Sequence, residues 1–157
     1  MPKYFKVSDP DFFDAITPEE MRWTGQATRE VMPGWDLGSI VLGDDSSDPN
    51  VPVASMLKIA AGDTLPKHAH DCFRVEVIVQ GSITLPGGDV LTSGDVMFSR
   101  PGEFYGPHIA GPDGCLSVEI FSAARGTAPI ADETDGSSSD VTGRVHEATA
   151  RLQNQTA

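Results

Sequence analysis

His68 and His70 stand two positions apart in the stretch GDTLPKHAHDCFRVEVIVQG, between a proline and a run of β-formers. On an extended strand such residues point to the same face, so both imidazoles can chelate a single ion. A third histidine, His108, follows 38 residues after His70, where the loop RPGEFYGP gives way to another β-like run. The chain has 4 histidines, and these three stand where a β-sheet metal site would want them. His146 falls outside the pattern and is given no role. Three neutral imidazoles suit Fe(II), Zn(II), Ni(II) or Cu(II) and serve oxygen-seeking ions poorly.

The elements that must position these residues read as short strands. Candidate runs are 37–42, 53–60, 73–79, 82–85, 89–91, 96–99, 108–110 and 116–122, separated by DDSSDPN, AGDTLP, PGG, TSGD, RPGEFYGP and GPDG. Those separators are rich in residues that supply positive φ or a fixed φ, and many short strands so spaced indicate a sandwich or barrel. Ahead of them, Thr17-Pro18-Glu19-Glu20 has the form of a capping box with Thr17 as N-cap, predicting a helix to about Arg29. Tyr4, Phe5 and Val7 are expected to form a short strand on a sheet edge or on a partner subunit. Residues 126–140 have the composition of a flexible linker. Beyond them Val141, Val145, Ala148 and Leu152 recur at helical spacing, predicting an amphipathic helix. The organisation expected is 1–36 as an N-terminal strand and helix extension, 37–124 as a barrel, and 125–157 as linker and helix.

The formal net charge is −12, and residues 1–124 alone carry 8 Lys and Arg against 18 Asp and Glu. A body this acidic repels a phosphate backbone, which argues against nucleic acid. No apolar run approaches the roughly 20 residues that cross a bilayer, and the N-terminus lacks a signal-peptide pattern, so no membrane partner and a cytoplasmic location are expected. Cys72 and Cys115 form no CxxC and are read as buried apolar residues.

Gly62-x5-His68-x-His70, followed by a strand closing at Gly81, resembles the first motif of the cupin family. Gly94-Asp95, Pro101-Gly102 and His108 resemble the second. The likeness spans roughly residues 50–122, with two motifs in order and a hairpin between. It implies an all-β fold, the cupin double-stranded β-helix or jelly-roll barrel, often dimeric, in which three histidines and a glutamate hold a metal. His68, His70 and His108 match the histidines. The glutamate, seven residues before the closing glycine, falls on position 74, which is Arg.

Three readings of that departure stay open. The site works with three histidines and open coordination positions, as some thiol and β-diketone dioxygenases of the family do. Alternatively Glu76, on the same strand face, replaces the carboxylate, although a two-residue shift moves it by about 6 to 7 Å. In the third reading no metal is bound tightly. A buried Arg74 needs a partner in Glu76, Glu103 or Glu119, or an anionic substrate group; pointing to solvent it needs none. Tyr105 sits at the barrel mouth, placed to orient a substrate or move a proton. The function expected is a metal-dependent enzyme, Fe(II) favoured, acting on a small anionic or chelating molecule. Dioxygenase chemistry leads, with a non-redox lyase, isomerase or polyketide-type cyclase, or a non-enzymatic ligand-binding module, as alternatives. A homodimer with edge-strand exchange is the expected assembly.

Overall fold

The computed structural model describes residues 1–155. Helix α1 (Phe12–Ala15), a 3-10 turn (Glu19–Met21) and helix α2 (Arg22–Val31) precede the strands β1 (Asp36–Val41), β2 (Val53–Ile59), β3 (Thr64–Leu65), β4 (His68–Ala69), β5 (Arg74–Thr84), β6 (Val90–Thr92), β7 (Val96–Ser99) and β8 (His108–Phe121). The chain closes with β9 (Ile130–Ala131) and helix α3 (Gly136–Gln155). The larger sheet runs β1-β2-β8-β5-β6, with β3 on β8 and β7 on β5; β4 pairs with β9. All pairings are antiparallel. This is the all-β antiparallel architecture expected, with short N-terminal helices and a C-terminal helix.

Period-two alternation sets what each strand buries. Along β2, Val53, Ser55, Leu57 and Ile59 point inward, and along β5 Arg74, Glu76 and Ile78 do so. The apolar core proper is Trp35, Leu57, Ile59, Ile78, Ile83, Ala110 and Cys115. It fills one end of the barrel; the other end is polar and carries the site.

The runs 108–110 and 116–122 are joined in one long strand. GPDG is not a chain reversal but a bulge: Gly81 opposes Cys115 while Ile83 opposes Ala110, so residues 111–114 loop out of the ladder. Gly81 has φ 74°, and a Cβ there would strike the Gly114 carbonyl, so the crossing needs glycine at that point.

Three expectations at the flanks are corrected. Residues 1–6 form no strand on a sheet edge of this chain, and Tyr4 is 86% exposed. Thr17 caps no helix: its hydroxyl donates to Phe13 O and accepts from Ser39 N–H, tying α1 to β1, and α2 begins at Arg22. The 126–135 segment is no free linker. β9 pairs with β4, and the Ser138 hydroxyl, fully buried, donates to Lys67 O. The predicted C-terminal helix is present as α3 and packs on α2, where Arg151 meets Glu30.

Candidate functional site

β4 places His68 and His70 at the polar end of the barrel, and β8 begins there with His108; all three side chains are buried. His68 Nδ1 lies 2.7 Å from Pro66 O and His70 Nδ1 lies 2.8 Å from Gly126 O. A carbonyl only accepts, so Nδ1 carries the hydrogen in both rings and Nε2 presents its lone pair. Gly126 is part of this device, since a Cβ there would collide with the Cys72 side chain. Burial drives the His68 and His108 imidazoles down to about 4 and lowers His70 as well, so all three are neutral near pH 7.

Tyr105 stands among the three rings. Its hydroxyl donates to His68 Nε2 at 2.7 Å, and its ring centroid is 4.5, 6.2 and 5.6 Å from those of His68, His70 and His108. Burial raises its phenol well above the usual range, which keeps it a donor. The Arg74 guanidinium lies over the same ring, 4.4 Å from its centroid, a cation–π contact.

Arg74 is 1% exposed, so the solvent-facing reading is wrong. Of its three expected partners the structure selects two. Nε donates to Glu119 Oε2 at 2.8 Å and Nη2 to Glu76 Oε2 at 2.5 Å, whereas Glu103 accepts from the Arg100 backbone N–H instead. Burial pushes the Glu76 carboxyl up to about 7, with Glu119 adding to the rise and Arg74 opposing it. Burial also acts to raise Glu119, but Arg74 outweighs it and holds that carboxyl low. Near neutrality the trio therefore carries one guanidinium, one carboxylate and one shared proton, a balance that a buried cluster tolerates.

A cavity of about 470 Å³ opens from this cluster. His68, His70, Glu119 and Phe121 line it from the barrel, Trp23, Thr28 and Met32 from the α2 region, and Val141, Val145 and His146 from α3. A volume in this range holds one small organic molecule. His146, given no role from sequence, is thus a wall residue. Glu119, weighed only as a partner for Arg74, is where cavity and buried cluster meet. The signal was there in LSVEIF, whose alternation puts Glu119 and Phe121 on the inner face.

The donor chemistry at the histidines fits a divalent transition metal. Two rings are oriented through Nδ1 by carbonyls, the usual support of metal-binding imidazoles, and the buried Nδ1 of His108 has no hydrogen-bond partner. The positions are not those of a closed coordination sphere: among the described residues no group of three His, Cys, Asp or Glu is arranged around one point. The three rings surround Tyr105, whose hydroxyl takes the electron pair of His68 Nε2.

No protein-family model matches the chain, and no curated protein is similar to it. Among solved structures it is similar to an RmlC-like cupin from Shewanella frigidimarina, at 25% identity over 59% of this chain and 78% of that one, with a TM-score of 0.47. KdgF from Halomonas matches at 21% identity over 59% and 82%, TM-score 0.45. The Rhodobacter sphaeroides complex of SigE with the anti-sigma ChrR matches at 18% identity over 74% and 61%, TM-score 0.49. Likeness at this level carries no activity across. No helix of the described residues is long and apolar enough to cross a membrane.

Proposed function

We propose that this chain is a metal-dependent enzyme that moves protons on a small, largely apolar molecule bearing an oxygen function, in the lyase, isomerase or cyclase class. The observation that carries the reading is the meeting of cavity and buried cluster at Glu119. A ligand seated against Trp23, Met32 and Phe121 has its polar end at His68, His70 and Glu119. Behind Glu119 lies Glu76, a carboxyl poised near 7, the range in which a group both gives and takes a proton at neutral pH.

In this reading each side chain has a separable task. Arg74 holds the charge on Glu119 and keeps the pair in register. Glu119 passes a proton between the ligand and Glu76. Tyr105 donates to His68 Nε2 and holds that ring from behind the cavity wall. His68, His70 and His108 would hold the metal, Fe(II) or Zn(II) with Ni(II) or Cu(II) as further fits, once the Tyr105 hydroxyl leaves Nε2. A divalent ion there supplies Lewis acidity to a carbonyl or enolate oxygen. The orientation of His68 and His70 through Nδ1 supports the metal, and the proton-sharing carboxyl pair supports non-redox chemistry over the dioxygenase expected from sequence.

The test is metal analysis of protein purified without an affinity tag, followed by incubation with ketone and β-diketone probes in deuterated water, with oxygen uptake recorded. About one metal per chain and deuterium entering the probe without oxygen uptake is the expected result. Oxygen consumed in step with product would replace this reading by the dioxygenase. Probe binding with neither turnover nor exchange would make the chain a ligand-binding module.

A further inference from the structure

A row of polar residues crosses the inner wall of the cavity. Ser39, Ser55, Glu119 and Glu76 are successive register partners across β1, β2, β8 and β5, and the last three are buried. The rows on either side are apolar where they cross β1 and β2. Leu37 faces Leu57 on one side, and Val41, Val53 and Phe121 are successive partners on the other. Alternation along β2 buries Val53, Ser55 and Leu57 in turn, so a serine interrupts a run of inward apolar positions. Ser39, Ser55 and Glu119 all line the cavity.

Arg74 engages the two glutamates of the row. The serine side chains bond only to each other, Oγ to Oγ at 2.8 Å. Two hydroxyls carry two protons, and their mutual bond uses one. The second proton has no acceptor among the described residues. The buried threonines of the same wall are already spent, Thr17 donating to Phe13 O and Thr28 to Thr24 O. A donor left unmade against an apolar wall is costly, and an oxygen on a bound molecule satisfies it.

We propose that the Ser39–Ser55 pair is a second polar subsite of the cavity, and that the ligand is an uncharged molecule with two oxygen functions. One sits at His68, His70 and Glu119, and the other, a carbonyl or hydroxyl, at the serines. The inference rests on the reading of the cavity as the substrate site and adds to it the form of the substrate. Neighbouring strands lie about 4.8 Å apart, so the second oxygen is one or two strand spacings, roughly 5 to 10 Å, from the first. Leu57 and Phe121 flank the row, so the span between the oxygens is hydrocarbon. Charge excludes an anion at the serines. No Lys or Arg lines the cavity among the described residues, and the register neighbour is Glu119, the carboxylate that Arg74 engages. A carboxylate or phosphate there would meet that charge with nothing to offset it, whereas a carbonyl accepts the spare proton and brings no charge to desolvate.

Three probes of one shape test the subsite: para-ethylphenol, para-hydroxyacetophenone and para-hydroxybenzoate. They share a phenol and end in an apolar group, a neutral acceptor and an anion. Binding to the full chain is read by quenching of tryptophan fluorescence, since Trp23 and Trp35 both lie on the wall. In the wild type the ketone should bind more tightly than the carboxylate. Replacing both serines, S39A with S55A, removes the pair without stranding either hydroxyl. It should lower the ratio of ketone to ethylphenol affinity about tenfold, the scale of one hydrogen bond. S55C keeps the volume but only a weak donor; it should lower the ratio in the same direction, and it serves where the double variant does not fold. A ratio unchanged by these substitutions overturns the subsite, as does a carboxylate that binds more tightly than the ketone. Neither readout uses turnover. Binding through the serines without deuterium exchange overturns the proposed chemistry and keeps the subsite, whereas exchange with a ratio untouched by substitution does the reverse.

Discussion

Glu76 and Glu119 are direct register partners across the β5–β8 ladder, and both point into the barrel. Two like charges directly opposite destabilise a sheet, and burial enlarges the effect. Arg74, two residues before Glu76 on the same strand face, reaches both. The buried Arg74 and the two inner-face glutamates are thus one feature. The guanidinium makes the Glu119 carboxylate tolerable, and the proton on Glu76 makes the pair tolerable. A cluster this dependent on its members is sensitive to removal of any one.

Arg74→Met is expected to destabilise the fold by about 3 to 5 kcal/mol, the usual cost of stranding a buried charge. Most of that cost comes from Glu119, so Glu119→Gln in the Arg74→Met background should recover stability. Urea unfolding of the two single variants and the double variant measures the coupling. Additive losses would show that Arg74 and Glu119 do not depend on each other.

The pH dependence of stability carries a sign that identifies Glu76. Its folded pKa of about 7 lies above the ordinary carboxyl value, so the native state holds a proton that the unfolded chain has released. That contribution is fully present below the ordinary carboxyl range and is lost as pH rises through about 7, with a limiting slope of about 1.4 kcal/mol per pH unit. Glu76→Gln imitates the protonated form. Its stability relative to wild type should therefore rise between about pH 5 and pH 8, read by thermal unfolding. A flat difference across that window would mean that Glu76 is ionised throughout.

The strands were legible in the sequence because alternation and turn residues agree along 53–60, 73–79, 82–85 and 96–99, the middle two joining in the structure as the single strand β5. The histidine pair and the inward face of Arg74 followed from the same parity. What alternation could not convey was how distant pieces meet. GPDG has turn chemistry and becomes a bulge, since β5 and β8 go on pairing beyond it. The segment 126–135 is polar enough to pass for a linker, yet its Gly126 carbonyl orients His70 and its β9 pairs with the histidine strand. Backbone carbonyls and the cavity wall on α3 are contributed by position in space, and no residue type announces them.

Tyr105→Phe separates the roles around His68. The phenol hydroxyl takes His68 Nε2, so its removal frees a donor that the metal reading needs. Metal content should stay near one per chain or rise in affinity, whereas His70→Ala should empty the site; plasma emission analysis after dialysis against a weak chelator compares them. Loss of metal from Tyr105→Phe would instead make the phenol itself a ligand. The same comparison includes Glu76→Gln, which should keep its metal because Arg74 engages that carboxylate and no histidine does.

The cavity can be tested without knowing the natural ligand. Val145 projects from α3 into its wall and is half-buried, away from the barrel strands. Val145→Trp adds a large ring to a space of about 470 Å³ and touches none of the buried polar cluster. Small apolar probes such as anilinonaphthalene sulfonate should bind the wild type through this space and lose about tenfold or more in affinity in the variant, the loss of roughly 1.4 kcal/mol expected when part of a ligand's contact area is blocked. Metal content and melting temperature should stay near wild type, because a surface helix position away from caps and core seldom costs more than about 0.5 kcal/mol. If probe affinity is unchanged while Phe121→Ala or Trp23→Ala alters it, the ligand lies against the barrel alone. In that case α3 is a cover and not a wall.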